Sequence, residues 1–176
     1  MSEPIIVTLY DPRWPLLFRD ECERIRELIK APAEIEHVGS TAVEGLAAKP
    51  VIDILIGLPR MSDAPLWIAL LQKLGYEYVP EFEKVMPERR FFRRFENGVR
   101  AQHIHMVERG GDFWIRHIAF RDYLRTHPDE ALAYGRLKLE LAENFRDDRE
   151  AYMDGKDAFI KALEQRAMAE YGRGAG

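Results

Sequence analysis

The sequence predicts an α/β (α+β) fold, a mixed β-sheet flanked by helices and closed by further helices at the C-terminus. Three observations carry this expectation. Short β-branched runs at residues 5–10, 35–38 and 51–56 stand close together early in the chain. Residues 91–95 and 101–107 flank Asn97-Gly98, the dipeptide that best favours a tight hairpin because both positions tolerate positive φ. From Asp112 onward the apolar residues recur at helical rather than alternating spacing.

Each element follows in order. The run at 5–10 reads as a strand, and Asp11, Pro12 and Pro15 then punctuate the chain. Trp14, Leu17, Phe18, Ile25, Leu28 and Ile29 form the stripe of a first helix, ending near Ala31-Pro32; it carries Cys22 among its core positions. Strands at 35–38 and 51–56 come next, the second entered through Lys49-Pro50. Leu66, Leu70, Leu71 and Leu74 mark a helix with Gly75 at its C-terminal cap. After the hairpin, Trp114, Ile118 and Leu124 define one helix. Ala131, Tyr134, Leu137, Leu141 and Phe145 define the next, entered through Pro128, and Tyr152, Phe159, Ile160 and Leu163 the last.

At 176 residues the chain is one domain of ordinary size, expected over 1–172, with a frayed tail at 173–176. Hydrophobic residues at 47% and charged residues at 32% give it material for a core and exclude wholesale disorder. The net charge of -4 provides no global attraction to nucleic acid or an acidic membrane, so any anion site must be local. One cysteine permits neither an internal disulfide nor a cysteine-based zinc site, which fits a reducing cytoplasm. The start, with Glu3 and no basic stretch before an apolar run, does not read as a leader, and residues 51–58 are far too short to span a membrane. A monomer and a small homo-oligomer are equally compatible with this composition.

The chemistry concentrates in a few places. Gly39-Ser40-Thr41 follows a strand, where free backbone N–H groups and two hydroxyls can hold phosphate oxygens; the same residues can equally form a plain turn. Asp53 interrupts an apolar strand, where an uncompensated carboxylate is unfavourable by several kcal/mol. Period-two alternation places it on the face of Leu55, opposite Ile52, Ile54 and Ile56, with a metal ion, Lys49 or an arginine as its partner. His103 and His105, two apart on a strand, project to one side and can share a divalent cation or handle protons; hydrogen-bonded surface roles account for them as well. His37 is ambiguous in the same way, and His117 and His127 read as structural. Arg89, Arg90, Arg93 and Arg94 make a cationic patch suited to phosphate, or else are paired with Glu81, Glu83 and Glu88. Lys138 and Lys156 each follow a tyrosine by four residues, Tyr134 and Tyr152, so each pair shares a helix face and can close over a phosphate.

These segments together resemble the GrpB family, whose members look like a divergent branch of the nucleotidyltransferase superfamily. The resemblance rests on Tyr10-Asp11-Pro12-Arg13-Trp14-Pro15, on the block from His37 to Ile54, on His103-Ile104-His105 and on Gly155-Lys156, and covers nearly the whole chain. It implies a nucleotidyltransferase-like mixed sheet, a Gly-Ser turn for incoming phosphates and strand carboxylates for divalent metal. On this sequence Gly39 and Ser40 take the turn and Asp53 a metal-binding carboxylate. The superfamily's second acid is replaced by Leu55 on one side and Val51 on the other, and its third is represented by His103 and His105 with Glu108 beyond, which implies one metal rather than two.

The expected function is therefore nucleotidyl or phosphoryl transfer from a Mg-nucleotide (Mg2+ or Mn2+) to an acceptor. Asp53, His105 and Ser40 are its catalytic residues, Asp53, His103 and His105 the metal ligands. Gly39, Ser40, Thr41, Lys49, Arg89, Arg93, Lys138 and Lys156 would bind the nucleotide or a nucleotide-like small molecule. The rivals are a non-catalytic nucleotide-binding module tied to nucleotide or coenzyme A metabolism, the family being known fused to dephospho-coenzyme A kinase, and a phosphoesterase built on Asp53, His103 and His105.

Overall fold

The computed structural model describes residues 4–174. Glu3, read above for the absence of a leader, lies outside the described residues, as do Ala175 and Gly176 of the expected tail. The chain divides into two compact units. A sheet unit comprises Arg13–Val38 and Val51–Ile115; a helical unit comprises the segment ending at Pro12, Gly39–Pro50 and the chain from Arg116 onward.

The sheet unit holds a five-stranded mixed sheet in the order β1-β2-β5-β4-β3. Its strands are β1 (Glu34–Val38), β2 (Ile52–Leu58), β3 (Glu77–Tyr78), β4 (Arg90–Glu96) and β5 (Val99–Glu108). β1 runs antiparallel to β2, β2 parallel to β5, β5 antiparallel to β4 and β4 antiparallel to β3. Asn97 (φ 51°) and Gly98 (φ 79°) both adopt positive φ, the geometry of the two-residue turn that matches strand twist. Two helices belong to this unit, α1 (Trp14–Leu28), opened by Pro15, and α2 (Ala64–Lys73). Gly75 (φ 85°) ends α2, its N–H bonding to Gln72 O at 3.0 Å. Ile52, Ile54, Leu55, Ile56, Leu58, Phe92, Ile104 and Met106 are buried in this unit, with Trp67 and Leu71 of α2.

Three expectations need correction. Residues 5–10 form no strand: Thr8 makes an isolated bridge with Ala48, while Ile5 N bonds to Arg146 O, so the backbone groups go to two different partners and no ladder can extend. The fifth strand is Glu77–Tyr78, whose two residues are too few to show a period. Cys22 is half-buried, with Arg26 Nε 3.3 Å from its Sγ, and Leu17 and Leu28 are exposed. The inward positions of α1 go to Trp14, Glu21 and Ile25. Glu21 is accommodated there because Tyr76 Oη and Arg94 each donate to its carboxylate at 2.8 Å.

The C-terminal helices are α3 (Asp112–Thr126), α4 (Pro128–Asn144) and α5 (Arg149–Gly174), the last continuing two residues past Gly172. The first four residues of α3 belong to the sheet unit and the rest to the helical unit. One core of the helical unit packs Val43 and Leu46 with Tyr123, Leu124, Ala131, Tyr134 and Leu163; a smaller one joins Ile5, Leu141 and Tyr152. Among the described residues no helix is long and apolar enough to cross a membrane.

Candidate functional site

Register builds the first cluster. Because β2 and β5 are parallel and in register, Asp53 lies opposite His103 and Leu55 opposite His105, and all four share a face of the sheet by alternation. Asp53 Oδ1 is 3.1 Å from His103 Nδ1 and 3.6 Å from His105 Nε2. The face is more covered than the apolar pattern suggested: Leu55 is fully buried, and the side chain of Asp53 keeps 28% exposure. On the antiparallel side Phe91 is in register with His105, and its ring lies 5.1 Å from that of His103 and 5.3 Å from that of His105.

The electrostatics follow from this packing. Burial by itself would raise the Asp53 carboxyl, but hydrogen bonds and charge from His103 and His105 outweigh it and hold the group well below the usual carboxylate range. Burial lowers His105, and Arg89 adds to that effect while Asp53 opposes it. Asp53 is thus an anion and His105 a neutral imidazole near neutral pH, the charge states that metal ligation requires.

The donor set fits a divalent cation. Its three ligand atoms lie within 4.8 Å of one another. Ligands about 2.1 Å from one ion stand roughly 3.0–3.4 Å apart, close to the Asp53 to His103 spacing and slightly inside the Asp53 to His105 spacing. His103 presents Nδ1 to Asp53; its Nε2, the other ring nitrogen, is buried with no hydrogen-bond partner. Glu108, read as a possible further acid, is not in this group.

The arginine patch divides. Arg90 pairs with Glu83 at 3.3 Å, Arg93 with Glu77 through two bonds of 2.9 and 2.6 Å, and Arg94 with Glu21 and Glu96. Arg89 instead reaches His105, its Nη1 3.2 Å from Nδ1, and lies over the rings of Phe82, Phe91 and Phe113. Phe82 and Phe113 are participants that the sequence reading missed. Neither stands near Arg89 in the chain in a pattern of fixed spacing, and an Arg-Phe-Phe-Arg run signals only Phe91. His37 is buried and stacks on Phe18, centroids 4.7 Å apart, and His127 stacks on Tyr123 at 3.9 Å.

A second cluster lies in the helical unit. Gly39 has φ 72°, a conformation that favours glycine, and leads into one 3-10 turn over Ser40–Ala42. Lys138, buried on α4, donates from Nζ to Ser40 Oγ at 2.7 Å and sits 4.3 Å above the Tyr134 ring. Tyr134 also hydrogen-bonds Ser40, and burial keeps its phenol protonated. Thr41 is buried. Lys49 and Lys156 both approach the Tyr152 ring, at 4.6 and 4.7 Å from its centroid, and burial pushes the Tyr152 phenol up to about 12. The i,i+4 Tyr–Lys pairs are thus joined by Ser40 in one case and by Lys49 in the other.

Comparison with known proteins bears on both units. A family model described as GrpB protein matches residues 4–166. The chain is similar to UPF0157 protein PA4798 of Pseudomonas aeruginosa, 42% identical over 164 residues, 90% of this chain and 66% of that protein. It is similar to UPF0157 protein YqkA of Bacillus subtilis, 37% identical over 92% of this chain and 46% of that protein. It is also similar to Glutamate-rich protein GrpB of Alkalihalophilus pseudofirmus, 33% identical over 92% of this chain and 94% of that protein. The chain therefore spans about two thirds and about half of the length of the first two relatives. Among solved structures it resembles that of conserved protein GrpB from Enterococcus faecalis, with a TM-score of 0.85 and 38% identity over 94% of this chain and 99% of that one.

Proposed function

This chain belongs to the GrpB family, and from that premise we propose that it is a metal-dependent nucleotide-binding protein that transfers a nucleotidyl or phosphoryl group to an acceptor. The observation that carries this reading is the Asp53, His103 and His105 cluster, one carboxylate and two imidazoles whose donor atoms lie within 4.8 Å. These residues hold the cation. Two nitrogen donors suit Mn2+ or Zn2+ better than Mg2+, which takes oxygen ligands, so the preference is for a transition-metal ion. When bound, such an ion supplies Lewis-acid stabilisation of charge developing on a phosphoryl oxygen.

The chain's own residues do the rest. Arg89 offers a donor-only guanidinium beside the cluster for phosphate oxygens. In the helical unit, Ser40 and Lys138 are proposed phosphate donors, with Lys49 and Lys156 adding positive charge around Tyr152. Gly39 has no Cβ to obstruct a close-lying oxyanion. A second reading, hydrolysis of a phosphate ester, is favoured by the two-histidine donor set and uses the same residues with water as the acceptor.

The test is a thermal-shift panel of nucleoside triphosphates and coenzyme A precursors with Mn2+, Zn2+ or Mg2+, on the wild type and Asp53→Ala. A metal-dependent shift of the wild type that Asp53→Ala lacks supports the site. Pyrophosphate release or a labelled acceptor then establishes transfer, and phosphate release with no acceptor establishes hydrolysis. Affinity with no turnover leaves a nucleotide-binding module, and no shift with any ligand overturns the proposal.

A further inference from the structure

Arg89 differs from the other three arginines of its stretch in having no carboxylate partner among the described residues. Its surroundings are three phenyl rings, with centroids 5.7, 5.2 and 5.6 Å from the guanidinium carbon, and one ring nitrogen of His105. Its Nε is a buried donor with no hydrogen-bond partner. Aromatic faces attract a guanidinium, but they accept few of its five N–H donors. The group is therefore poised for an acceptor that the folded chain itself does not supply.

The hydrogen bond of its side chain to His105 fixes the tautomer of that imidazole. A guanidinium has donors and no acceptor, so Arg89 Nη1 donates and His105 Nδ1 accepts, at 3.2 Å. The single proton of the neutral imidazole is then on Nε2, the nitrogen 3.6 Å from Asp53 Oδ1. A cation held beside Asp53 needs the lone pair of that same Nε2, which places the proton on Nδ1 instead. With a proton there, Nδ1 cannot accept from Arg89. The Arg89–His105 bond and ligation through His105 Nε2 exclude each other, and a guanidinium left in place beside a bound cation would also repel it.

Resting on the metal-binding reading above, we infer that Arg89 is an oxyanion subsite of phosphate type that couples anion and metal binding. In the free protein its bond to His105 keeps Nε2 protonated. An oxyanion draws the guanidinium off Nδ1, the imidazole proton moves from Nε2 to Nδ1, and His105 becomes a ligand. Each ligand then favours the other, because coupling between two binding events is reciprocal. A phosphate-type oxyanion is the matching class, since its oxygens meet the planar guanidinium fork in pairs.

The experiment measures free Mn2+ by electron paramagnetic resonance during titration of the full chain. It is run in chloride, in inorganic phosphate and in sulfate, which does not chelate Mn2+ appreciably, at constant ionic strength. Wild-type affinity for Mn2+ should rise roughly tenfold with either oxyanion. Arg89→Met, which keeps the stacking surface but has no donor, should bind Mn2+ in chloride more tightly than wild type and show no oxyanion effect. Unchanged Mn2+ affinity and an unchanged oxyanion effect in Arg89→Met overturn the coupling; if Asp53→Ala still abolishes Mn2+ binding, the metal site survives that result. No Mn2+ binding by wild type or Arg89→Met overturns both. Independently of any variant, 15N imidazole shifts of the metal-free wild type should report the Nε2–H tautomer of His105, and the Nδ1–H tautomer would overturn the proposal.

Discussion

In the sheet unit a carboxylate stands between two imidazoles on adjacent parallel strands, whereas in the helical unit three ammonium groups, Lys49, Lys138 and Lys156, collect around two tyrosines. Under the proposed function the first set takes a cation and the second an anion. They also differ in how they are held. Ladder hydrogen bonds between β2 and β5 set the positions of Asp53, His103 and His105 along the sheet, so their spacing follows from backbone register. Lys138 and Ser40 meet across 98 positions of sequence, and only the packing of α4 against the Gly39–Pro50 segment brings them to 2.7 Å. Gly135 shows how tight that packing is: a Cβ there would stand 3.4 Å from Ala47 N.

The sharpest way to break this contrast is Asp53→Ala. Calorimetric titration with Mn2+ and no anion present should show affinity falling at least about 100-fold, because the remaining imidazoles provide no charge. A smaller change would mean that the cluster is a hydrogen-bonded triad and nothing more.

The rigidity of the sheet unit can be tested against the adaptability of the helical unit with two glycines. A Cβ at Gly57 of β2 would stand 2.5 Å from Trp114 Cζ3, inside a buried ring. Gly57→Ala should therefore lower stability by about 1–3 kcal/mol in urea unfolding. At Gly155 of α5 the obstacle is the flexible end of Leu141, also at 2.5 Å, and alanine gains helix propensity of about 1 kcal/mol. Gly155→Ala should come out close to neutral, and equal losses at both positions would erase the distinction.

Lys138→Met probes the anion-seeking set. Inorganic pyrophosphate affinity, measured without metal, should fall about tenfold, the loss of one charge-assisted hydrogen bond. Retained affinity would make the Lys138–Ser40 bond purely structural.

The smallest effect is on pH dependence. Both Asp53 and His105 take up protons less readily when folded, Asp53 through its imidazole partners despite burial and His105 through burial. The unfolded chain therefore binds more protons, and stability should rise with pH, below about 6.5 for His105 and below about 4 for Asp53. Urea midpoints of the metal-free protein should fall on acidification through both ranges, and Asp53→Asn should flatten the lower one. A midpoint constant from pH 7 to 4 would contradict this.

What was legible in the sequence tracks these same differences. The hairpin at Asn97-Gly98 and the shared side of His103 and His105 follow from turn chemistry and parity, which are local, whereas the meeting of Asp53 with them depends on the pairing of β2 with β5. The three C-terminal helices were readable from their stripes and from Pro128. Residues 5–10 misled because a β-branched run shows strand propensity whether or not a partner strand is available. Glu77–Tyr78 was invisible for the opposite reason, being a strand created by its neighbour. The ring cage around Arg89 was hidden because Phe82, Phe91 and Phe113 come from three separate segments, and the burial of Glu21 because its partners Tyr76 and Arg94 lie far along the chain.

The parallel pairing of β2 with β5 also has a kinetic consequence. Asp53 and His103 lie 50 positions apart, and α2, β3 and β4 intervene before the strands can join. Such non-local pairing closes a long loop and tends to form late in folding. A cation that needs all three donors therefore has nothing to grip in the early chain. Added during refolding, Mn2+ should leave the folding rate unchanged and slow unfolding, making the ion a latch on the finished sheet rather than a template for it.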